Sequence, residues 1–413
     1  MGSPLRILWV KSGPLFPLNT GGRRRTHAML TALTKEHRVT WLAGLPEGQE
    51  LDSRESSDPY AHEKIWIPTH ESEKGSLRFF FEVFRNFVTS PLPFVLDRYR
   101  NRKIQEKVAE LDQSGVFDLI ICDFLTPAVH FQHQSRKTPA LLFQHNVESQ
   151  IWKRLAQEKS NPISRWYFNQ QFRRMWKAER NLSAQFDGVI TVSPEDAEFC
   201  RHEYGLINIL GAVPTGVDTD FFHPPGKRMP EPDLIGFLGS MDWMPNIECV
   251  QHFARDIFPA IRSRHPQTRF RIIGRDPSPT VRRLADEDSS IEVTGTVDDV
   301  RTHLNACQLL VVPLRSGGGT RIKIFEALAQ GVPVVSTTIG AEGLPVTHER
   351  DILIADSPEN FAACVLRLLD EPTTAERLST NAREKLVAEH SWESVTHSFV
   401  ELSRRLLTAS PEN

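Results

Sequence analysis

Residues 315–337, RSGGGTRIKIFEALAQGVPVVST, combine flexible and charged residue types that suit binding of a phosphorylated ligand. The apolar run before this segment predicts a strand, and a helical pattern follows it. Backbone N–H groups are exposed at such a junction, where the positive end of the helix dipole attracts anions. Because glycine has no Cβ atom, a phosphate can approach the main chain closely. The residues at the junction are Gly317, Gly318, Gly319 and Thr320.

The predicted helix after this junction carries its charged residues on one face. Its apolar stripe consists of Ile322, Phe325 and Ala329. Lys323 and Glu326 align with Gly319 on the opposite face. Together with Arg321, the cations predict phosphate binding, and the carboxylate predicts binding of sugar hydroxyls. The alternative is that Lys323 and Glu326 form an ordinary surface ion pair three residues apart.

A second pair of glycines follows the first predicted strand. In residues 17–30, PLNTGGRRRTHAML, Gly21 and Gly22 directly precede a helix and form another turn suited to anions. The alternative is a tight strand-to-helix connection, with the arginines at positions 23–25 on a solvated helix face. Neither glycine-rich segment has the spacing G-x-x-x-x-G-K-[ST], and no G-x-G-x-x-G follows the first strand.

His145 and Asn146 come directly after an apolar strand, in the sequence LLFQHNVESQIW. Ligands of parallel sheets bind at the carboxyl ends of strands, so both side chains are candidates for the site. A lone histidine in such a place is otherwise a structural residue. As a functional residue, His145 would orient or polarise a bound group rather than abstract a proton outright.

Short apolar runs alternate with helical patterns along the chain. Runs dense in Val, Ile and Leu, without polar alternation, predict parallel strands buried on both faces. In the first half these runs are residues 6–10, 38–44, 118–124, 140–146 and 188–193. In the second half they are residues 234–240, 269–275, 291–297, 308–314, 332–338 and 351–355. Helical segments separate them, among them residues 23–37, 246–264 and 358–369.

This alternation predicts an α/β protein with two doubly wound, Rossmann-like domains that face a cleft. The proline-rich stretch between the two sets of strands is the expected connection. The predicted boundaries are an N-terminal domain 1–212, a linker 213–233, a C-terminal domain 234–390 and a final helical segment 391–413. We expect that last segment to pack back toward the N-terminal domain.

Composition excludes several classes of function. The 413 residues carry a net charge of −3, with 24% charged and 39% hydrophobic residues, so nothing favours nucleic acid as a partner. Five scattered cysteines without a C-x-x-C pair predict neither a zinc site nor a redox pair, and they are typical of a reducing cytoplasm. The N-terminal apolar run is too short for a signal peptide, and no stretch is long enough for a membrane span.

Several motifs together resemble the GT-B glycosyltransferases, specifically family four of the retaining enzymes that use nucleotide sugars. In the second half they are FLGSMDWMPN, RIIGRD, VTGTVDDVRTHLNACQLLVVPL, GGGTRIKIFEALAQGVPVVST and HSWESV. TGVDTDFF near the linker matches the family pattern too, as does the N-terminal order of strand, NTGG and helix. The resemblance covers nearly the whole chain and implies a GT-B fold.

The resemblance implies that Glu326 binds the ribose of a nucleotide. The family usually has a second glutamate eight residues earlier, where this chain has Gly318. The family's phosphate-binding Arg and Lys often follow the first strand of the C-terminal domain, but GSMDWMPN has no basic residue there. We therefore expect Arg321 and Lys323 to bind the diphosphate and, with His145, to be catalytic. Further donor-binding candidates are Gly22, Ser240, Gly274, Arg275, Gly295 and Thr296, together with the glycine-rich junction.

For the acceptor, the resemblance points to the N-terminal domain. The candidates there are Asn19, Gly21, Arg25, His145 and Asn146. The sequence D-x-D at positions 218–220 spells a metal motif of the other large glycosyltransferase fold, but its place near the linker favours a capping turn. The resemblance implies a metal-independent reaction without a cofactor, in which the nucleotide sugar is a co-substrate.

The expected function is transfer of a sugar from a UDP- or GDP-sugar, with retention of configuration, to a glycan, lipid-linked or small-molecule acceptor. The alternatives are a non-catalytic subunit that binds sugar nucleotides and a GT-B epimerase. We expect a cytoplasmic monomer or homodimer, with peripheral contact to the inner face of a membrane as one option. That option rests on residues 77–100, which are aromatic and basic, and on residues 151–180, with eight Lys and Arg against two Glu. The alternative is that both stretches are amphipathic helices packed on the sheet.

Overall fold

The computed structural model describes residues 3–18, 20–70, 72, 75–131, 136–158, 161–226, 228–316 and 322–409. The chain divides into two compact units. The first unit comprises Met1–Pro214 and Val395–Asn413, and the second comprises Thr215–Ser394. Most of the stretch expected to be a linker, residues 213–233, therefore belongs to the second unit.

The described residues of the first unit form a seven-stranded parallel sheet in the order β3-β2-β1-β4-β5-β6-β7. The strands are β1 (Arg6–Lys11), β2 (Arg38–Pro46), β3 (Glu63–Thr69), β4 (Leu119–Asp123), β5 (Ala140–Phe143), β6 (Gly188–Thr191) and β7 (Ile209–Ala212). Sequence patterns missed β3 and β7, which are the two edges of the sheet. Their residues are only partly buried, so neither forms a continuous apolar run, and β3 contains a proline that an edge strand tolerates.

Helices connect the parallel strands of the first unit. They are α1 (Gly21–Leu33), α2 (Ser53–Ser57), α3 (Leu77–Thr89), α4 (Phe94–Asp97), α5 (Arg102–Gln113), α6 (Glu148–Glu158), α7 (Pro162–Ser183) and α8 (Pro194–His202), with a short 3-10 helix at Pro127–His130. Polar side chains cap six of these helices by accepting hydrogen bonds from backbone N–H groups of the first turn, which explains where the helices begin. The caps are Thr20, Asp52, Ser76, Asn101, Asn161 and Ser193.

In the described residues of the second unit, six parallel strands follow the order β10-β9-β8-β11-β12-β13. They are β8 (Leu234–Leu238), β9 (Arg269–Ile273), β10 (Ile291–Gly295), β11 (Leu309–Val312), β12 (Val334–Ser336) and β13 (Leu353–Ile354). Each lies inside one of the six predicted runs. The central strands β8, β11 and β12 are buried at every residue, as a parallel sheet covered on both faces requires.

The helices of the second unit begin with α9 (Met244–His252), a π-helical turn (Phe253–Ile257) and α10 (Phe258–Arg264), which together fill the predicted helix 246–264. The others are α11 (Pro279–Glu287), α12 (Val300–Ala306), α13 (Ile322–Ala329), α14 (Pro358–Asp370) and α15 (Pro372–Glu389). The last helix, α16 (Trp392–Ala409), begins in the second unit and continues into the first. No helix in the described ranges is both long and apolar enough to cross a bilayer.

From Val395 onward, α16 belongs to the first unit and completes its core. The Phe399 ring is 1% exposed and lies 5.9 Å from the Trp9 ring and 5.0 Å from the Phe143 ring. Arg404 donates a hydrogen bond of 2.7 Å to the carbonyl oxygen of Ser3. Residues of α16 from Val395 onward thus pack against β1 and β5.

The strand order reverses between β1 and β4 in the first sheet and between β8 and β11 in the second. At such a switch point, the loops that follow the two central strands run to opposite faces of the sheet. They leave a crevice beyond the carboxyl ends, which is where ligands of doubly wound sheets bind. These two edges are therefore the places to look for functional side chains.

Replacing Phe399 by alanine should destabilise the first unit by about 3–5 kcal/mol, because a fully buried aromatic ring is lost. Calorimetry should show its melting temperature falling by on the order of 10 °C. Phe81, whose side chain is largely exposed, is a matched control that should change little. Equal melting temperatures for Phe399→Ala and Phe81→Ala would show that α16 is not part of this core.

Candidate active site

A buried carboxylate lies at the switch point of the first sheet. Asp123, the last residue of β4, is fully buried. Its Oδ2 atom accepts hydrogen bonds from Trp9 Nε1 at 3.0 Å, from Lys11 Nζ at 2.8 Å and from Thr26 Oγ1 at 2.7 Å. These donors come from β1 and α1, so the carboxylate ties the two central strands to the first helix. A buried charge of this kind persists only when it is paired and hydrogen-bonded.

His145 lies against the other oxygen of Asp123. Its Nε2 atom is 2.7 Å from Asp123 Oδ1, although neither atom has a hydrogen-bond partner of good geometry. The imidazole is 6% exposed, and the rings of Phe124 and Phe143 each lie 4.6 Å from its centre. The predicted strand-end histidine is therefore held between two aromatic rings, with one nitrogen against a carboxylate.

Burial acts on both titratable groups, but with different outcomes. Burial opposes ionisation of Asp123, yet the charge of Lys11 and the contact with His145 outweigh it and hold the pKa of this carboxyl well below its usual range. Burial lowers the pKa of His145 to about 4, and Asp123 offsets only part of that effect. Near neutral pH the site thus combines an ionised carboxylate with a neutral imidazole.

The geometry assigns the tautomer of this imidazole. Since Nε2 faces a carboxylate oxygen, the proton belongs on Nε2, and Nδ1 carries the lone pair. Nδ1 faces Gly22: a Cβ atom added to Gly22 would lie 3.9 Å from Nδ1 and 3.5 Å from the Phe124 ring. Glycine at this position therefore leaves the accepting nitrogen uncovered.

Phe124 adopts a backbone conformation that is unusual for its type. Its φ angle is +89°, in a region that a bulky residue occupies only at a cost in free energy. Its N–H donates to the carbonyl of Phe143 at 2.9 Å, which holds the turn after β4 against β5. This turn places the Phe124 ring beside His145, and the same ring lines the adjacent cavity.

A cavity of about 480 Å³ opens beside this cluster. Residues that follow β1, β2 and β4 line it, together with the first turn of α1. Its lining comprises Lys11, Ser12, Gly13, Pro14, Thr20, Gly22, Arg23, Pro46, Gln49, Tyr99, Phe124 and Thr126. The cavity therefore lies at the switch point, and it has two cations in its wall.

The other acceptor candidates are placed differently. Gly21 is the first residue of α1, and Asn19 lies outside the described residues. Arg25 is 4% exposed, and its Nη2 atom donates a 2.6 Å hydrogen bond to the Val213 carbonyl. Burial lowers the pKa of Arg25 to about 9, with the Asp123 charge opposing this effect. The alternative of a solvated helix face at positions 23–25 is therefore wrong for Arg25.

Asn146 lies two residues before α6, where it contacts the half-buried acid Glu148. Burial raises the pKa of Glu148, and a hydrogen bond from Asn146 opposes that rise. Direct contact of Asn146 or Arg25 with an acceptor stays a prediction.

In the second unit, Lys323 belongs to the first turn of α13, and its amine lies beside the loop that follows β8. Its Nζ atom donates a 2.7 Å hydrogen bond to Asn246 Oδ1 and lies 4.3 Å from the centre of the Phe237 ring. A Cβ atom at Gly239 would approach Nζ to 2.8 Å. The glycine after β8 thus makes room for the amine, and Asn246 at the start of α9 orients it.

Three further donor candidates meet beside this lysine. Arg275 Nε donates to Ser240 Oγ at 2.9 Å, and the same hydroxyl lies 2.6 Å from Asp242 Oδ1. Asn246 Nδ2 donates to the Ser240 carbonyl at 2.9 Å. A Cβ atom at Gly274 would come within 1.7 Å of the Gly239 carbonyl oxygen, so the loops after β8 and β9 approach this closely only with glycine there.

Glu326 is 9% exposed within α13, a helix buried on nearly every side. Glu326 is therefore not a surface residue, and its pairing with Lys323 stays an open alternative. Gly295 ends β10 with φ +71°, and Thr296 follows it at the surface. The other predicted donor residues lie outside the described ranges: Gly317, Gly318, Gly319, Thr320 and Arg321.

Several residues of these clusters were not identified from the sequence: Asp123, Lys11, Trp9, Phe124 and Asn246. Asp123 had a usable signal, since an acid that closes an otherwise apolar strand needs a partner. Asn246 stands in GSMDWMPN, which contains no Arg or Lys and so predicts no phosphate-binding cation. Its role depends on the approach of α9 to α13, which no local pattern encodes.

No group of three potential metal ligands occurs among the residues with described positions. Asp218 of the D-x-D sequence accepts a 2.8 Å hydrogen bond from the backbone N–H of Phe221, which forms the capping turn that the sequence predicts.

Replacing His145 by glutamine should make the protein's stability less sensitive to acid. A histidine whose folded pKa lies near 4, below its unfolded value, stabilises fully above about pH 6.5, and this contribution is lost as the pH falls toward 4. Between about pH 7 and pH 5, wild type should lose on the order of 1–2 kcal/mol more than His145→Gln. Melting curves across this range measure the difference.

His202, whose side chain is 77% exposed, provides the control. His202→Gln should follow the wild-type pH profile. If His145→Gln and wild type lose stability in parallel, the buried ring does not favour its neutral form.

Two family models match the chain. The model described as Glycosyltransferase Family 4 matches residues 19–221, and the one described as Glycosyl transferases group 1 matches residues 232–371. A GDP-mannose-dependent monoacylated alpha-(1-6)-phosphatidylinositol monomannoside mannosyltransferase from Corynebacterium glutamicum is 26% identical over 235 residues. This match spans 52% of the chain and 61% of that relative, so the chain covers about three fifths of the relative's length.

Solved structures resemble the whole chain in fold. Sucrose-phosphate synthase from Thermosynechococcus elongatus has a TM-score of 0.68 at 18% identity, covering 99% of this chain and 100% of that one. HepE from Anabaena, in complex with UDP and glucose, has a TM-score of 0.64 at 13% identity, covering 97% and 100%. With both units matched by family models and the fold shared end to end, the chain belongs to the family-four glycosyltransferases and has their GT-B fold.

Proposed function

We propose that the protein transfers a glycosyl unit from a nucleoside-diphosphate sugar to an acceptor, with the donor bound by the second unit. The observation that carries this proposal is the cluster at the ends of β8 and β9. There Lys323, Asn246, Ser240 and Arg275 converge on two loops that glycines bring into contact. Cations and hydroxyls at the carboxyl edge of a doubly wound sheet suit a diphosphate and its sugars.

In this proposal Lys323 binds the diphosphate and stabilises the charge that grows as it departs. The amine is already oriented by Asn246, so little reorganisation is needed during the reaction. Arg321 and the backbone of residues 317–320 add further donors, and Glu326 binds the ribose hydroxyls. Arg275, Gly295 and Thr296 border the base. Because side-chain cations balance the diphosphate charge, we expect the reaction to need neither a metal ion nor a cofactor.

The first unit binds the acceptor in the cavity beside Asp123. Lys11, Thr20 and Gln49 in its wall offer hydrogen-bonding groups for hydroxyls. The His145 pKa near 4 makes the ring a weak base but leaves Nδ1 as a hydrogen-bond acceptor. We therefore assign His145 the orientation of a sugar hydroxyl, with Asp123 holding the ring in one tautomer.

For the donor, GDP- and UDP-sugars are the leading candidates. The Corynebacterium relative is named for its use of GDP-mannose, and HepE was crystallised with UDP and glucose. A glycan, a lipid-linked sugar or a small molecule serves as the acceptor, and the anomeric configuration of the donor is retained. The family to which the chain belongs supports both expectations.

Lys323→Ala should reduce the stabilisation of the protein by its nucleotide. At a hundred times its dissociation constant, one of UDP, GDP, ADP, CMP and dTDP should stabilise wild type by about 2.7 kcal/mol in a thermal-shift assay. Loss of a charge-assisted hydrogen bond should weaken binding roughly tenfold to a hundredfold in Lys323→Ala. Asn246→Ala should weaken it less, since the amine remains but is no longer oriented.

Arg283→Ala removes an exposed cation from α11 of the same unit and should bind as wild type does. A Lys323→Ala protein with unchanged nucleotide affinity would refute the assignment of this lysine. A wild-type protein stabilised by none of the five nucleotides would remove the main support for the proposed donor site.

Slow hydrolysis of the identified donor, followed by proton NMR, should release the sugar first in the anomeric configuration that it has in the donor. Retention requires this result, because water takes the place of the acceptor on the same face of the sugar. Initial release of the opposite anomer would contradict retention.

The substitution of Gly318 for the usual family glutamate keeps one other function open, that of a non-catalytic subunit that binds sugar nucleotides. Such a protein would show the thermal shift and leave the donor intact, with or without an acceptor.

A further inference from the structure

Helix α3 of the first unit exposes its apolar face. Leu77, Phe80, Phe81, Phe84 and Val88 are between 61% and 90% exposed. Their spacing places all five within about 100° of arc on the helix, so they form one continuous stripe. The alternative in which this helix packs its apolar face on the sheet is therefore wrong. The opposite face makes the internal contacts, since Asn86 is buried and donates to the Leu92 carbonyl and to Asp97.

The stripe continues onto the first turns of α7. The Phe87 ring lies 5.6 Å from the Trp166 ring, and Trp166 and Ile163 are 53% and 77% exposed. Arg174 fixes the two helices together, donating to the Phe87 carbonyl at 2.6 Å and lying 5.0 Å from the Phe87 ring. We call the resulting surface the aromatic patch. Its residues are Leu77, Phe80, Phe81, Phe84, Val88, Ile163 and Trp166.

Cations border the aromatic patch. Arg78 and Arg85 lie along one side of the stripe on α3, and both are exposed. On α7, Arg173 follows Trp166 on the same face, seven positions later, and Lys177 comes after it. The whole chain has a net charge of −3, so these cations do not reflect its overall composition.

Acidic residues of the same two helices do little to neutralise this border. Within α3 and α7 they are Glu82, which pairs with Arg78 at 3.1 Å, and Glu179, which is fully buried. Glu179 accepts hydrogen bonds from Gln144 and Tyr204 inside the unit, away from this surface. The border therefore presents a positive potential around an apolar centre.

We infer that the aromatic patch binds the surface of a membrane that contains anionic lipids. Phe, Trp and Leu side chains on one helix face enter the boundary between headgroups and acyl chains, while Arg and Lys at its border bind anionic headgroups. A continuous exposed surface formed by seven apolar side chains marks an interaction site rather than an ordinary solvated face.

A second copy of the chain fits this surface less well. A two-fold symmetric contact would place the patch of one copy against that of the other. Arg85 and Arg173 would then lie near the same cations of the partner, which costs free energy as the interface loses water. Anionic headgroups instead supply the opposite charge. The inference does not rest on the proposed reaction, since it concerns where the protein binds and not what it transfers.

Flotation of the full-length protein with vesicles tests this inference. Wild type should bind vesicles of phosphatidylcholine mixed with phosphatidylglycerol more tightly than vesicles of phosphatidylcholine alone. Phe81→Ser/Phe84→Ser should bind about tenfold more weakly for each ring removed, because each ring loses its burial in the bilayer. The affinity of Arg85→Gln/Arg173→Gln for the anionic vesicles should fall about fivefold for each cation removed. Its affinity for vesicles of phosphatidylcholine alone should not change.

Val116→Ser/Ile207→Ser removes two exposed apolar side chains elsewhere in the first unit and should bind as wild type does. Melting temperatures confirm that each variant is folded, as expected for exposed positions. The inference is overturned if wild type does not bind the anionic vesicles, or if Phe81→Ser/Phe84→Ser binds them as tightly as wild type does. Light scattering that shows a dimer lost in Phe81→Ser/Phe84→Ser, without any vesicle binding, would identify a second copy as the occupant and also overturn it.

Discussion

Reversal of strand order at the centre of a parallel sheet determines where each unit of this protein can bind a ligand. The loops after two adjacent central strands leave toward opposite faces, so a crevice must open beyond their carboxyl ends. In the first unit this is the cavity between Lys11 and Phe124. In the second it lies beyond β8, where Gly239 and Lys323 meet. Both sites follow from topology before any side chain is considered.

The polar groups at these two edges offset the free-energy cost of their burial in different ways. Asp123 ends a strand that is otherwise apolar, and its charge is retained because Lys11, Trp9 and Thr26 direct their donors at it. The same apolar surroundings keep His145 neutral. In the second unit, the Lys323 amine is oriented by Asn246 and packed over the Phe237 ring. One unit thus holds an ionised carboxylate beside a neutral ring, and the other presents cations. These are the groups proposed to bind the acceptor and the donor respectively.

The aromatic patch presents the opposite case, in which apolar side chains are exposed to water. Burial of large apolar side chains is the main favourable term in folding, yet α3 leaves Phe80, Phe81 and Phe84 in contact with water. Its inner face is held by polar contacts of Asn86 and by the Arg174 bridge to α7. The helix is therefore positioned without the use of its apolar stripe, which leaves that stripe available for a partner.

The sequence by itself determined the α/β class and the buried central strands. Apolar runs such as residues 118–124 and 308–314 are local patterns, and so are the glycines that begin α1, so they could be found without coordinates. The edge strands β3 and β7 could not, because partly buried strands lack that pattern. Strand order, the contact of Asp123 with His145 and the contact of Asn246 with Lys323 join residues far apart in the chain. The outward direction of the α3 stripe was likewise decided by the tertiary structure, since periodicity shows that a helix has an apolar face but not what that face meets.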